Sequence, residues 1–252
     1  MTANWKRAIV IVLDLVIAGY LVLAASVFNK PAEKANVCSE VNIRIDKQSS
    51  EGFLTVKEVK KLLEQQHIYP LAQPMQFIST RTIEETLGKN PFIESAECYK
   101  TQSGHICINL SQRLPVMRVM ALNGESYYID SKGELLPAAH YATNVTVATG
   151  NISKKYARKV LGRLGKYLAS DRFWQSQIVQ VEVLKDGSIE LVPRVGDHIA
   201  YLGEPVNIEH KLDRLKKFYK YGLSHAGWNK YERISVEFDN QIICKRKPEY
   251  RD

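Results

Sequence analysis

The sequence predicts an α+β protein that follows a single N-terminal transmembrane helix. Residues 8–28 form an apolar run that carries one charge, Asp14. Residues 37–115 show the order strand, helix, helix, strand, strand, and residues 116–246 predict a mixed α/β domain on an antiparallel-rich sheet. The remaining predicted segments are a cytoplasmic N-terminus over residues 1–7, a linker over 29–36 and a tail over 247–252.

The apolar run is long enough to cross a bilayer, whose hydrocarbon core needs about 20 residues of helix. Lys6 and Arg7 precede it, and Trp5 lies where an interfacial aromatic is expected. A short basic start favours a cytoplasmic N-terminus, which would place the rest of the chain across the membrane. A cleaved signal peptide and a buried soluble helix are the alternatives. Asp14 either reaches water near the cytoplasmic end or contacts another membrane helix.

The net charge of +8 indicates anionic neighbours. A chain delivered across a membrane meets no nucleic acid, so anionic lipid headgroups or acidic cell-wall polymers are the expected neighbours. Lysines and arginines are interpreted as scattered along helices with interleaved acidic residues, as on solvated faces.

The four cysteines form no CxxC pair, so no zinc site is predicted. Cys98 and Cys107 flank a predicted hairpin and would lie opposite each other if its turn centres on residues 102–103. The pattern leaves open a cross-strand disulfide or two buried thiols.

In the first half, alternating apolar residues predict a strand over 37–46. Thr55 and Glu58 form a capping box that starts the first helix, and Ser79 or Thr80 starts the second. The two closing strands are predicted over 93–100 and from 106 towards 113, with a turn over 101–104.

The second half predicts strands alternating with two amphipathic helices, and Gly162 and Gly165 in the first of these helices are expected to permit close packing against the sheet. The Asp186-Gly187 pair signals a hairpin. Asp130 follows a strand and is interpreted as making an Asx-type turn, not as a catalytic base. The predicted elements are a strand from 127, a helix over 153–169, strands over 178–184, 188–192 and 198–202, a helix over 207–221, and strands over 233–238 and 241–245.

Several segments, in this order, are similar to the FtsQ/DivIB family of bacterial cell-division proteins. The most telling are NPFIESAECYK (90–100), QRLPV (112–116) and YYIDSKG (127–133). The resemblance covers nearly the whole chain, and residues 37–115 resemble a POTRA domain.

The resemblance implies a non-enzymatic scaffold in the cell inner membrane, single-pass and located at the division septum. It also implies FtsB- and FtsL-like bitopic partners and, through them, the septal peptidoglycan synthase complex. In the family a partner strand adds to the C-terminal strand by β-augmentation. The matching positions are Phe238, Asp239, Asn240, Gln241 and Ile242. The alternative is that Ile242, Ile243 and Cys244 only close the core, and alternation predicts at least Ile243 inside.

Two other functions remain as alternatives. POTRA modules also occur in envelope assembly and secretion factors, although the helices predicted after residue 120 disfavour that function. The other alternative is a cell-wall enzyme with an unfamiliar site. The sequence has no GxSxG, HExxH, Walker or GxGxxG motif, so no catalytic residue, metal or cofactor is predicted.

Overall fold

The computed structural model describes residues 3–28, 37–46, 54–138 and 145–250. The predicted linker, residues 29–36, lies outside the described residues. Contacts divide the chain into two compact units. One unit comprises Met1–Arg44, Lys60–Thr86 and Glu97–Asn109, and the other comprises Ile45–Val59, Leu87–Ala96 and Leu110–Asp252.

The N-terminal helix α1 spans Ala3–Phe28, as predicted for a helix in this region. Its large apolar side chains between Ile11 and Leu23 are 48–69% exposed. Asp14 is exposed on this helix, and the side chain of Trp5 lies outside the described ones. Within the ranges described, none of the helices has both the length and the apolar character of a membrane span. The helix is therefore confirmed, but the predicted membrane crossing is not.

The predicted order strand, helix, helix, strand, strand is confirmed. The elements are β1 (Glu40–Ile45), α2 (Val56–Gln65), α3 (Thr80–Gly88), β2 (Ile93–Lys100) and β3 (His105–Gln112), and the strands pair in the order β1-β3-β2. The capping box of α2 is present, because the Thr55 N–H donates to Glu58 Oε2 at 2.8 Å and the Glu58 N–H donates to Thr55 Oγ1 at 3.3 Å.

The β2–β3 hairpin has a different register from the one that the sequence suggested. The Thr101 N–H donates to the His105 carbonyl at 2.9 Å, so three residues lie in the loop instead of two. Gly104 takes the left-handed position with φ of +80°, as three-residue hairpin loops require. A shift of one residue turns every side chain of one strand to the other face.

This register keeps Cys98 and Cys107 apart. Cys98 is buried at 7% exposure, whereas Cys107 alternates with the buried Ile106 and Ile108 and so lies on the opposite face of β3. All four cysteines are free thiols. Of the two alternatives left open by the sequence, the structure shows thiols and not a disulfide. Burial, with Glu84 nearby, raises the pKa of Cys98 to about 12.

The second sheet has nine strands in the order β12-β11-β10-β9-β8-β7-β4-β5-β6 among the described residues. The pairs β4–β7, β7–β8 and β10–β11 are parallel and the other pairs are antiparallel, which confirms the antiparallel-rich prediction. Its strands are β4 (Pro115–Ala121), β5 (Ser126–Asp130), β6 (Leu135–Pro137), β7 (Thr146–Gly150), β8 (Ile178–Val183), β9 (Ile189–Pro193), β10 (Ile199–Gly203), β11 (Tyr231–Ser235) and β12 (Ile243–Arg246).

Two long helices and one short helix accompany this sheet. Helix α4 consists of Lys154–Tyr156, a π-helical turn Ala157–Leu161 and Gly162–Ser170; α5 is Arg172–Gln177; α6 consists of Ile208–Lys217, a π-helical turn Phe218–Leu223 and Ser224–Ala226; a 3₁₀ turn follows at Pro248–Tyr250. Both long helices bury an apolar stripe in the main core.

Two glycines allow α4 to lie close to the sheet, as the sequence suggested. A Cβ at Gly162 would lie 2.9 Å from the Cα of Gly133, and a Cβ at Gly165 would lie 2.7 Å from Val116 Cγ2. Both distances are shorter than carbon–carbon contact allows, so any larger residue would push the helix outward.

Candidate functional site

Strand β12 forms one end of the nine-stranded sheet and pairs only with β11 among the described residues. The pairing is antiparallel, with Ser235 opposite Ile243 and Arg233 opposite Lys245. Within the described ranges, one side of the β12 backbone therefore lacks a neighbouring strand. An edge of this kind can pair with a strand from another chain.

The hydrogen bonds of β11 show which side of β12 is occupied. The Val236 N–H donates to the Tyr201 carbonyl at 2.9 Å, and Tyr201 belongs to β10. Because backbone groups alternate in direction along a strand, the groups of Ser235 point the other way, towards β12. Its partner Ile243 therefore turns its own backbone groups inward.

The far end of β12 gives the same alternation. The Lys247 N–H donates to the Lys230 carbonyl at 3.0 Å, just beyond the paired residues. Because these groups alternate in direction, the backbone groups of Lys245 also point towards β11, and those of Cys244 and Arg246 point away from it. The outward N–H and C=O of Cys244 are hydrogen-bonding groups that an added strand would meet.

The five predicted docking residues lie before this strand and not within it. Phe238 to Asn240 form a turn, and Gln241 and Ile242 connect that turn to β12. The predicted strands over 233–238 and 241–245 are therefore wrong at their facing ends, since β11 ends at Ser235 and β12 begins at Ile243. Phe238 is 51% exposed at the tip of this connection.

Arg214 of α6 explains why the connection is wide. Its Nη1 donates to the Phe238 carbonyl at 2.6 Å, and its Nη2 donates to the Gln241 carbonyl at 2.8 Å. A planar guanidinium that binds both ends of the loop holds it open, so a tight two-residue turn cannot form. No sequence signal indicates this role, because a cation on a polar helix face has the same pattern when it is only solvated.

The side chains around the start of β12 alternate in the opposite sense to the prediction. Ile242 and Cys244 pack against the main core, whereas Ile243 is 47% exposed. The prediction that Ile243 fills the core is therefore wrong, because the wide connection shifts the alternation by one residue. Burial raises the pKa of the Cys244 thiol.

An open groove of about 500 Å³ lies beside this edge, between α6 and the residue that leads into β12. Its lining combines apolar, aromatic and cationic side chains. The lining residues are Arg214, Lys217, Phe218, Tyr221, Gly222 and Ile242. Tyr221 is 61% exposed. A Cβ at Gly222 would lie 2.7 Å from the Phe218 ring, so glycine gives that ring its place.

The described residues give little support to a metal site or to Asp130 as a catalytic base. Within them, no group of three or more His, Cys, Asp or Glu side chains is placed to hold a metal ion. Asp130 makes the turn that the sequence predicted, because its Oδ1 accepts from the N–H groups of Lys132 and Glu134, both at 2.8 Å. Its Oδ2 accepts from Arg113 at 3.1 Å, so the carboxylate is fully used in structure.

Comparisons with known proteins match two successive stretches of the chain. A family model described as "FtsQ/DivIB, C-terminal related" matches residues 114–245, a little over half of the chain, and a POTRA-like domain matches residues 36–111. The chain is 23% identical over 194 residues to the cell division protein FtsQ of Salinibacter ruber, covering 69% of this chain and 72% of that protein. It is 24% identical over 203 residues to the FtsQ of Geotalea daltonii, covering 74% and 72%.

Proposed function

This chain belongs to the FtsQ/DivIB C-terminal-related family, and from that premise we propose that it is a non-enzymatic scaffold of bacterial cell division that docks partner proteins at the septum. The observation that carries the proposal is the short edge strand β12 with an apolar groove beside it. In this proposal residues 8–28 anchor the chain in the inner membrane, with Trp5 at the cytoplasmic interface and the two domains, 37–115 and 116–246, on the other side.

The proposed partners are FtsB- and FtsL-like bitopic proteins and, through them, the septal peptidoglycan synthase complex. The two relatives are both named as cell division proteins, which supports a partner of that class. A partner strand would add to β12 through the outward backbone groups of Cys244. The connection Phe238–Ile242 would then flank the added strand instead of pairing with it.

The groove gives this docking mode its selectivity. An added strand supplies main-chain bonds that any sequence can make, so side-chain pockets must distinguish partners. Apolar residues of the partner would enter the groove between Tyr221 and Ile242, and Arg214 and Lys217 on its rim favour acidic residues beside them.

Membrane anchoring would help docking by raising the effective concentration of the two partners. Two anchored chains meet at a high effective concentration, so a four-residue strand and a small groove suffice without tight intrinsic affinity. If Asp14 contacts the membrane helix of a partner, it adds to this pairing within the bilayer.

The sharpest test compares two substitutions at one residue of this edge. Cys244→Pro removes the outward N–H of β12 but keeps the inward bonds to β11, whereas Cys244→Ala loses the same thiol and keeps the N–H. We expect the proline variant to bind a purified FtsB/FtsL-like pair about tenfold more weakly than the alanine variant, since one lost bond and one stranded acceptor amount to about 1.4 kcal/mol.

Thermal unfolding provides the control for this comparison. Both variants should melt within a few degrees of the original chain, because proline is tolerated on the open side of an edge strand. Equal partner affinity of the two variants, with both folded, would show that β12 is not the docking edge.

A further inference from the structure

Helices α4 and α6 hold the excess positive charge of the chain. Residues 154–170 contain six lysines and arginines and no acidic residue, and residues 208–226 contain five basic and two acidic residues. Eleven basic and two acidic side chains thus lie on two helices of a chain whose net charge is +8. The interpretation of scattered cations with interleaved acidic residues therefore holds for α6, which carries Glu209 and Asp213, but not for α4.

The cations of α4 lie on its solvent side. Its buried stripe, Ala157 to Leu168, faces the core, and Lys155, Lys159 and Lys166 are all exposed. In the part of the chain that the structure describes, these three lysines form no ion pair. On α6, Lys220 is likewise exposed, with its ammonium 5.1 Å from the centre of the Tyr221 ring.

The two acidic residues of α6 leave most of this positive charge in place, because Glu209 is paired with Arg163 and only Asp213, which binds a neutral hydroxyl, keeps its negative charge. Glu209 accepts two hydrogen bonds from Arg163, each of 2.6 Å, and Asp213 accepts one from the Tyr167 hydroxyl at 2.7 Å. These contacts hold α4 and α6 side by side. The exposed cations of these neighbouring helices are together called the basic face, which consists of Lys155, Arg158, Lys159, Lys166 and Lys220.

We propose that the basic face docks on a bilayer surface that carries anionic headgroups. This inference rests on the membrane anchor of the proposed function, which keeps the second domain within reach of a bilayer. A headgroup layer complements the face in charge and in extent, since the cations are spread over two helices.

The test uses the full chain in nanodiscs of phosphatidylcholine alone or of phosphatidylcholine and phosphatidylglycerol in equal amounts. Exposed lysines are acylated with a water-soluble reagent and measured by mass spectrometry. We expect labelling of Lys155, Lys159 and Lys166 to fall at least about threefold in the anionic discs and to recover at high salt. Lys57 and Lys61, exposed on α2, should be labelled equally in both discs.

A pair of charge-reversal variants separates this surface from net charge. The variant K155E/K159E/K166E should lose the protection of Lys220 in anionic discs. The matched variant K57E/K61E/K89E changes the net charge by the same amount at exposed positions elsewhere and should keep it. Protection of Lys220 that is equal in both variants would overturn the proposal.

Three further outcomes would also overturn it. Equal labelling in both discs, for a chain that resists carbonate extraction, overturns the docking but leaves the anchor intact. A chain that washes off both kinds of disc overturns the anchor and the docking together. If soluble polyglutamate protects these lysines in neutral discs and anionic lipid does not, the basic face binds an acidic polymer instead.

Discussion

Replacing Arg214 with alanine would remove the only described side chain that binds both ends of the β11–β12 connection. The guanidinium donates to the carbonyls of Phe238 and Gln241 at 2.6 and 2.8 Å, with a longer contact of 3.4 Å to Val236. Arg214→Ala leaves the strands and their ladder in place. It frees the loop that determines where β12 begins.

The expected cost follows from the number and exposure of these bonds. Hydrogen bonds to charged groups contribute about 1.5–3 kcal/mol where the partner is buried. The Phe238 and Gln241 residues are exposed, so water replaces much of the lost interaction, and the 3.4 Å contact adds little. We therefore expect about 1–2 kcal/mol, most of it as easier local opening of the connection and β12.

Hydrogen exchange measures this opening directly. Amides from Gln241 to Cys244 should exchange about tenfold faster in Arg214→Ala, since 1.4 kcal/mol corresponds to a factor of ten. Arg163→Ala is the matched control, because that arginine also binds two oxygens but lies on the exposed surface of α4, where a salt bridge contributes about 0.5 kcal/mol.

The reasoning is refuted if exchange at β12 is the same in both variants. Partner binding gives an independent reading, because an edge that must be ordered before it pairs loses affinity in proportion to its opening. An Arg214→Ala chain with fast exchange and full affinity would show that the connection plays no part in docking.

Two further predictions concern the interior of the second unit. His198 is 3% exposed, with Nε2 2.8 Å from the Tyr219 hydroxyl, and its burial lowers its pKa to about 4. The unfolded chain binds a proton at this histidine more readily than the folded chain does, so up to about 3 kcal/mol of stability should be lost as the pH falls from about 6.5 towards 4. The melting temperature of His198→Gln should therefore depend less on pH over that range. Asp130→Ala should cost about 2–4 kcal/mol in chemical denaturation, because the Lys132 and Glu134 amides and Arg113 all lose their acceptor. Asp130→Asn keeps one acceptor oxygen and should cost about half as much.

Local chemistry accounts for what the sequence predicted well. The capping box at Thr55, the Asx turn at Asp130 and the close approach at Gly162 each depend on residues a few positions apart or on a missing side chain. Such patterns are visible in one sequence, because the same short segment contains both the donor and the acceptor, or lacks the Cβ that would clash.

Contacts across long sequence distances account for the errors. The predicted start of β12 is wrong because Arg214, more than twenty residues away in the sequence, binds the carbonyls of the connection between β11 and β12. The hairpin that separates Cys98 from Cys107 differs from the predicted one by a single residue, and that single residue changes the face of a thiol. Single-sequence patterns do not contain either constraint.

The length and charge of β12 favour pairing with a different protein over pairing with a second copy of this chain. An open edge invites self-association, and proteins protect such edges by keeping them short, charged and irregular. Strand β12 has four residues, ends in Lys245 and Arg246, and lies beside an irregularity in β11 between Tyr231 and Arg233. Two copies joined through β12 would place two basic pairs on one short ladder, which like-charge repulsion disfavours, whereas a strand with acidic residues would pair with the same ladder favourably.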